Sequence, residues 1–455
     1  MNRKLSYLFS ALLMLIGIPL WAQKEADTIR YNQYGVAVDR IPLIAERRGG
    51  VLVFESRDQK QRIWFDTRVQ VDGAIFTGDT YNEIGNGTSI RRARLAMKTE
   101  LNEKWYGELD LDFANSELEL KDAYLAYIPN EHWIIRTGNF KESFSMESTT
   151  TSRYLTFMER PMAVSAFAPS RHIGMALQYN YNWLLAIGGI YFQDVSDLEE
   201  RTYSVDNNKN LGIDEGYSLT GKLVFMPLNN KSGYGIHLGA STSYRTPKTD
   251  AEIPGSVRLS TRSLTSINRK KYLDTDNILN VDYTWQNGFE LAAYYHNFRI
   301  QGEYLLTDVH RKNDLPTENF NGFYVMGSCM LFGGEYRYNQ SDGEFTQPSR
   351  GRKWGDIELA LRYDMLDLNS RMDGVMGGAG EGITAGINYH VNSSIKVMFN
   401  YAYLNHDRYA NGKGKLFVGH DILGNLTKNP SDVVEAEGKA GEDFSMFSIR
   451  FEIDF

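Results

Sequence analysis

The chain has 455 residues, a formal net charge of −8, and 42% hydrophobic and 13% aromatic content. An acidic balance of this kind disfavours a nucleic-acid partner, and a single cysteine among 455 residues argues against a disulfide-stapled secreted module. Beyond residue 22 no apolar run is long enough for a spanning helix, so a membrane crossing would have to be made with strands.

The first element is a targeting segment. Asn2, Arg3 and Lys4 form a short basic region, residues 5–20 are mostly apolar, and Ala22 offers a small residue for cleavage before Gln23. Residues 1–22 therefore read as a secretory signal peptide. A retained anchor is the weaker reading, because Ser10, Gly17 and Pro19 interrupt a short run. Removing Arg3 and Lys4 takes the net charge from −8 to −10. Residues 23–50 are less patterned and read as an N-terminal lead-in.

From residue 51 to residue 455, strand-like segments alternate. Ile63, Phe65, Thr67, Val69 and Val71 oppose Arg62, Asp66, Arg68, Gln70 and Asp72. Gly107, Leu109, Leu111 and Phe113 oppose Glu108, Asp110 and Asp112; Ile357, Leu359, Leu361 and Tyr363 oppose Glu358, Arg362 and Asp364. Residues 383–391 and 395–403 repeat the pattern around Asn392, Ser393 and Ser394. Residues 101–104, 129–131, 180–182 and 286–288 read as tight turns, while 141–170, 194–214, 339–354 and 407–442 read as long loops. Short turns at one end and long loops at the other are the arrangement of an outer-membrane barrel. Cys329 shares an apolar strand face with Val325, Gly327 and Leu331 and reads as a packing residue. The final strand sets Phe447, Ile449, Phe451, Ile453 and Phe455 against Ser448, Arg450, Glu452 and Asp454. A soluble domain would leave this as a sticky edge, whereas a barrel uses it for closure, oily side to lipid and polar side to water. The 28 Tyr, 23 Phe and 7 Trp suit girdles at two membrane interfaces. The expected fold is all-β, a transmembrane antiparallel β-barrel with a wide, wet lumen.

Two stretches carry more specific information. Residues 90–127 contain Ile-Arg-Arg-Ala-Arg-Leu, Leu-Asp-Phe-Ala-Asn and Lys-Asp-Ala-Tyr-Leu-Ala-Tyr in order; residues 138–160 run from Gly-Asn-Phe-Lys-Glu-Ser-Phe to Thr-Phe-Met-Glu-Arg. With residues 357–363, 384–388 and the terminal Phe455, these resemble the phosphate-selective porin O and P family of outer-membrane anion porins. The resemblance spans roughly residues 50–455 and implies about sixteen strands, a homotrimer, and a third long loop folded into the pore. It also implies passive uptake of phosphate or related small anions across the bacterial outer membrane, with lipid and lipopolysaccharide around the barrel, no cofactor and no enzymatic activity. By motif position the family's anion constriction falls on Arg68, Arg91, Arg92 and Lys141, with Asp122 and Ser145 at a nearby carboxylate and hydroxyl position.

The residues can also be read without the family. Leu95, Met97 and Leu101 fix the lipid face of the second strand, so Arg92, Arg94 and Lys98 project inward together with Arg68 of the first. Arg91 has the opposite parity, although it lies near the start of its strand. A unit-charge pair about 4 Å apart is worth about 1 kcal/mol in water and about 4 kcal/mol at an effective dielectric near 20. Three such partners give about 4–6 kcal/mol, a millimolar to tens-of-micromolar affinity that enriches an anion and still lets it leave. Lumenal arginines also brace barrel walls, and Glu108, Asp110, Asp112, Glu142, Glu147 and Glu159 are close in sequence. Bracing is the expectation for Arg94, Lys98, Arg153, Arg160 and Arg171, whereas pore chemistry and bracing both fit Arg68, Arg92 and Lys141.

The alternatives are a porin of the same architecture with weak or different selectivity, or a plugged barrel acting in binding or assembly. The eight histidines are scattered without metal-ligand spacing. Residues 206–212 superficially resemble a calcium loop, but the glycine falls one position late, and they read as a polar loop.

Overall fold

The computed structural model describes residues 30–455 apart from 39–40, 49, 79, 117, 193, 196–215, 229–232, 248–252, 254, 371–374, 411–415 and 436–440. The predicted signal peptide and the 206–212 segment lie outside the described residues. The chain divides into two compact units, residues 1–44 and 45–455. Of the first, the described part contains a small hairpin pairing Arg30–Tyr31 with Ala37–Val38.

The second unit is a closed antiparallel barrel of sixteen strands. They are β1 (Gln61–Thr77), β2 (Gly87–Leu101), β3 (Trp105–Asp112), β4 (Glu119–Asn130), β5 (Trp133–Lys141), β6 (Arg171–Tyr181), β7 (Leu184–Tyr191) and β8 (Ser218–Phe225). There follow β9 (Tyr234–Arg245), β10 (Val281–Tyr295), β11 (Phe298–Arg311), β12 (Glu318–Met330), β13 (Asp356–Ser370), β14 (Val375–His390), β15 (Ile395–His406) and β16 (Asp443–Asp454). A strand Val51–Ser56 pairs with the start of β1. Each strand bonds to its neighbour in sequence, and β16 returns to β1 with Ser445 opposite Thr77 and Asp454 opposite Arg68. Phe455 completes the seam: its N–H donates to Thr67 O at 3.0 Å, and the Thr67 N–H donates back at 2.7 Å. Among the described residues the barrel closes on itself, so backbone groups at membrane depth find partners on neighbouring strands.

Strand alternation sorts the side chains as expected. In β16, Phe447 and Phe451 are each 55% exposed on the outside, while Arg450 is fully buried on the inside. Outward aromatic clusters mark both rims. Trp105 lies 4.7 Å from Tyr127, Trp133 4.8 Å from Tyr179 and Phe332 4.9 Å from Trp354 at the turn end; Tyr244 lies 5.0 Å from Tyr283 at the loop end.

Three expectations need correction. Residues 286–288 are not a turn, because β10 runs unbroken from Val281 to Tyr295. Gln286 points inward and donates to Phe167 O at 2.9 Å, while Asn287, on the outer face, accepts from Thr242 at 3.0 Å. The long connection containing 339–354 joins β12 to β13 at the turn end, where Gln347 donates to Ser393 O in the β14–β15 turn at 2.9 Å. The lumen, lastly, is not uniformly wet. The loop 142–170, with helices α1 (Met146–Thr149) and α2 (Met162–Phe167), folds inside, as does a hairpin pairing Ser260–Arg262 with Lys271–Asp274. Phe144, Phe157, Met162 and Phe167 of the loop and Tyr272 and Leu273 of the hairpin pack on Leu305, Phe320, Leu366, Leu404 and Phe444 of the wall. These inward-facing wall residues are dry, buried as a core would be.

Candidate functional site

The polar side of the lumen holds a cavity of about 310 Å³, lined by strands β1 to β7, the loop 142–170 and the connection 331–355. Eight cations face it: Arg68, Arg92, Arg94, Lys98, Arg136, Lys141, Arg160 and Arg171. Six carboxylates face them: Asp66, Glu108, Asp110, Asp122, Asp342 and Glu344.

Local strand geometry explains how so many arginines meet. In β1–β2 the register runs from Gln70 opposite Arg92 to Val71 opposite Ile90, so Arg91 is an extra, bulged residue. Below the bulge Leu95 and Met97 point outward, and above it Ile90 does. Both Arg91 and Arg92 therefore turn inward, which simple alternation forbids. A second irregularity, between Asp110/Leu111 and their β4 partners, leaves Asp122 opposite Asp110 with Lys121 as the extra residue. In β5, Gly138 has φ +128, and a Cβ there would lie 2.3 Å from Ala123 O, so only glycine lets β4 and β5 approach this closely.

Four of the eight, Arg68, Arg94, Lys98 and Arg171, are held by carboxylates, as are Arg91 and Arg153 beside the cavity. Arg68 donates to Asp454 at 2.9 Å and to Ser152 Oγ at 2.7 Å. Arg91 grips Glu159 at 2.5 and 3.0 Å, tying β2 to the inserted loop. Burial alone would raise the Glu159 carboxyl, but Arg91 and Arg450 more than offset it and hold it below the usual range. Arg94 bonds Asp112 at 3.0 Å, Lys98 bonds Asp66 at 3.3 Å, Arg153 also bonds Asp66, and Arg171 takes Asp122 bidentately at 3.0 and 2.6 Å. Glu108, Asp110 and Asp122 come together, but Lys98, Arg94 and Arg171 already occupy their faces.

Four cations differ. Among the described residues Arg92, Arg136, Lys141 and Arg160 have no carboxylate within ion-pair distance. Arg92 donates to Gln70 Oε1 at 2.6 Å, and its Nε has no hydrogen-bond partner. Arg136 stacks over Tyr124 and Phe140, 5.1 and 5.3 Å from the ring centres. Lys141 donates to Ser148 O at 2.6 Å; Arg160 donates to Glu147 O and Thr150 O, both at 2.8 Å. Rings, amides and backbone carbonyls orient these cations without cancelling their charge. Of the sequence-predicted residues, then, Arg68, Arg92, Lys141 and Asp122 line the cavity, and Arg91 braces the loop behind it. Ser145 is fully buried and caps α1, accepting from the Ser148 N–H at 3.1 Å. Arg136 was missed, although its inward parity between Ile135 and Thr137 was readable.

A sequence profile described as phosphate-selective porin O and P matches residues 63–421. The chain belongs to that family. Porin O of Pseudomonas aeruginosa is 22% identical to this porin over 83% of the chain and 91% of the relative. An uncharacterised protein of Caulobacter vibrioides is 27% identical over 71% of the chain, and this porin spans 64% of that relative's length. Among solved structures, OmpT of Vibrio cholerae in its trimer form superposes with TM-score 0.51 at 10% identity, covering 87% of this chain and 99% of that one. An anion-selective porin from Comamonas acidovorans gives TM-score 0.51 at 13% identity, covering 87% and 100%. At such identities the likeness concerns the fold. As a member of this family with a closed barrel, this porin spans the bacterial outer membrane with its strands; no helix among the described residues is long and apolar enough to cross a membrane.

Proposed function

We propose that this porin passes phosphate or related small anions by diffusion, and that Arg92, Arg136, Lys141 and Arg160 receive the anion at the constriction. The observation that carries this reading is the contrast within one cavity between four carboxylate-braced cations, Arg68, Arg94, Lys98 and Arg171, and these four, fixed by neutral partners. Arginine offers paired donors matched to phosphate oxygens, and lysine adds a point charge. The family and the Porin O relative favour the same class of solute. Arg68 and Arg91, expected in the same role, instead shape the wall through Asp454 and Glu159. The outward apolar rows suit lipid and the rims suit lipopolysaccharide; the trimer form of the OmpT neighbour supports a homotrimer. A signal peptide over residues 1–22 would deliver the chain to this membrane.

In planar bilayers the porin should give discrete current steps, with anions more permeant than cations and partial block by millimolar phosphate. Replacing Arg92 and Lys141 together with Gln should weaken the block by roughly ten-fold or more, since each unit charge in such a site is worth about 1–4 kcal/mol. An unchanged block removes the site assignment, and cation preference in the wild type removes the anion reading. The six carboxylates of the same cavity favour a second reading, a general porin of weak selectivity; a permeability ratio near unity would select it.

A further inference from the structure

The connection 331–355 starts at the turn end and yet reaches the heart of the lumen. Its short hairpin, Tyr338–Asn339 with Glu344–Phe345, carries Asp342 and Glu344 into the cavity wall. The tip is firmly seated. Phe345 is 2% exposed, the Tyr336 hydroxyl donates to Glu358 at 2.8 Å and lies in hydrogen-bond contact with the Ser328 hydroxyl at 2.6 Å, and Ser341 O accepts from Gln178 at 2.7 Å. Gly343 adopts φ +67, in the left-handed region that favours glycine, with the Leu185 side chain against it. Asp342 accepts from Asn339, and among the described residues neither carboxylate has a cation within ion-pair distance.

We propose that Glu344 and Asp342 act as a tethered internal competitor for the anion, lowering occupancy of the Lys141/Arg136 side of the site when ionised and releasing it when protonated. This rests on the anion reading above. The charged and titratable groups facing Glu344 are Asp342 on its own hairpin, Lys141 of β5 and Lys222 of β8; Arg136 of β5 faces Asp342, and the Thr151 N–H of the inserted loop faces Glu344. Burial and Asp342 push the Glu344 carboxyl up, against the pull of Lys141 and Lys222. Its negative charge therefore appears as pH rises through a range above that of an ordinary carboxylate, and anion preference falls in the same direction.

The test uses the full-length porin in planar bilayers, with chloride-over-potassium permeability ratio and inorganic phosphate block measured at pH values from about 5 to about 9. The wild-type ratio should fall with rising pH. Glu344→Gln should hold it at the low-pH level throughout and tighten phosphate block at high pH about three- to ten-fold, the effect of removing one charge a few ångströms beyond contact. Asp342→Asn should act in the same direction. A pH-independent wild-type ratio, or folded variants matching the wild type at high pH, overturns the proposal. Should Glu344→Gln fail to give the heat-modifiable gel mobility of a folded barrel, Asp342→Asn and the wild-type series decide, and either one flat is enough to reject it. An intact phosphate block that requires Arg92 and Lys141 beside an inert Glu344 rejects this inference alone; a cation-selective wild type rejects the reading beneath it.

Discussion

Charged residues of one type at the interior wall have two kinds of partner, carboxylates and neutral groups. Arg450 is fully buried and donates to both Asp72 oxygens at 2.7 Å, to Met158 O at 2.7 Å and to Glu159 at 3.3 Å. It clamps the closing seam to the inserted loop. Arg450→Ala would leave Asp72 buried and unpaired, a loss of about 3–5 kcal/mol, read as an earlier urea midpoint in detergent micelles. Arg450→Lys should recover only part of that, lacking the paired donors. Strand parity alone was enough to place Arg68, Arg92, Arg94 and Lys98 inside. It misplaced Arg91, because a bulge is a property of two paired strands, and its single-strand signature is only two adjacent arginines.

At the level of strands, alternation carried most of the information, since each strand must meet two solvents. The outer face of β16 tests this directly. Phe451→Arg should destabilise the barrel by about 2–4 kcal/mol if the site lies near the bilayer midplane, and by less toward a rim, while Phe451→Leu should leave the unfolding midpoint nearly unchanged. Alternation failed at Gln286, Asn287 and Gly288, whose composition is that of a turn. There the strand survives because Gln286 reaches the loop inside and Asn287 bonds Thr242 outside. Such an error propagates: which end of the barrel a connection occupies depends on counting every crossing before it. The long connection 331–355 was recognisable as long, but nothing local in it names its end.

The whole molecule combines a membrane barrel with something close to a soluble protein's interior. Neither the dry cluster nor the burial of the 260–274 hairpin was legible, because both depend on residues separated by a hundred positions or more meeting across the lumen. Replacing Tyr272 and Leu273 with Ser should admit water to the dry side and raise single-channel conductance with little change in the phosphate block; unchanged conductance would show that this side contributes nothing to the occlusion. A bare ring of strands resists ovalisation weakly. Packing from residues 142–170 and 260–274 acts as an internal strut, and a close-packed core yields by discrete rearrangement sooner than by smooth compression. Lateral pressure from neighbouring lipids would then reach the proposed anion site as an abrupt loss of fit, leaving the conducting state quiet until that threshold is passed.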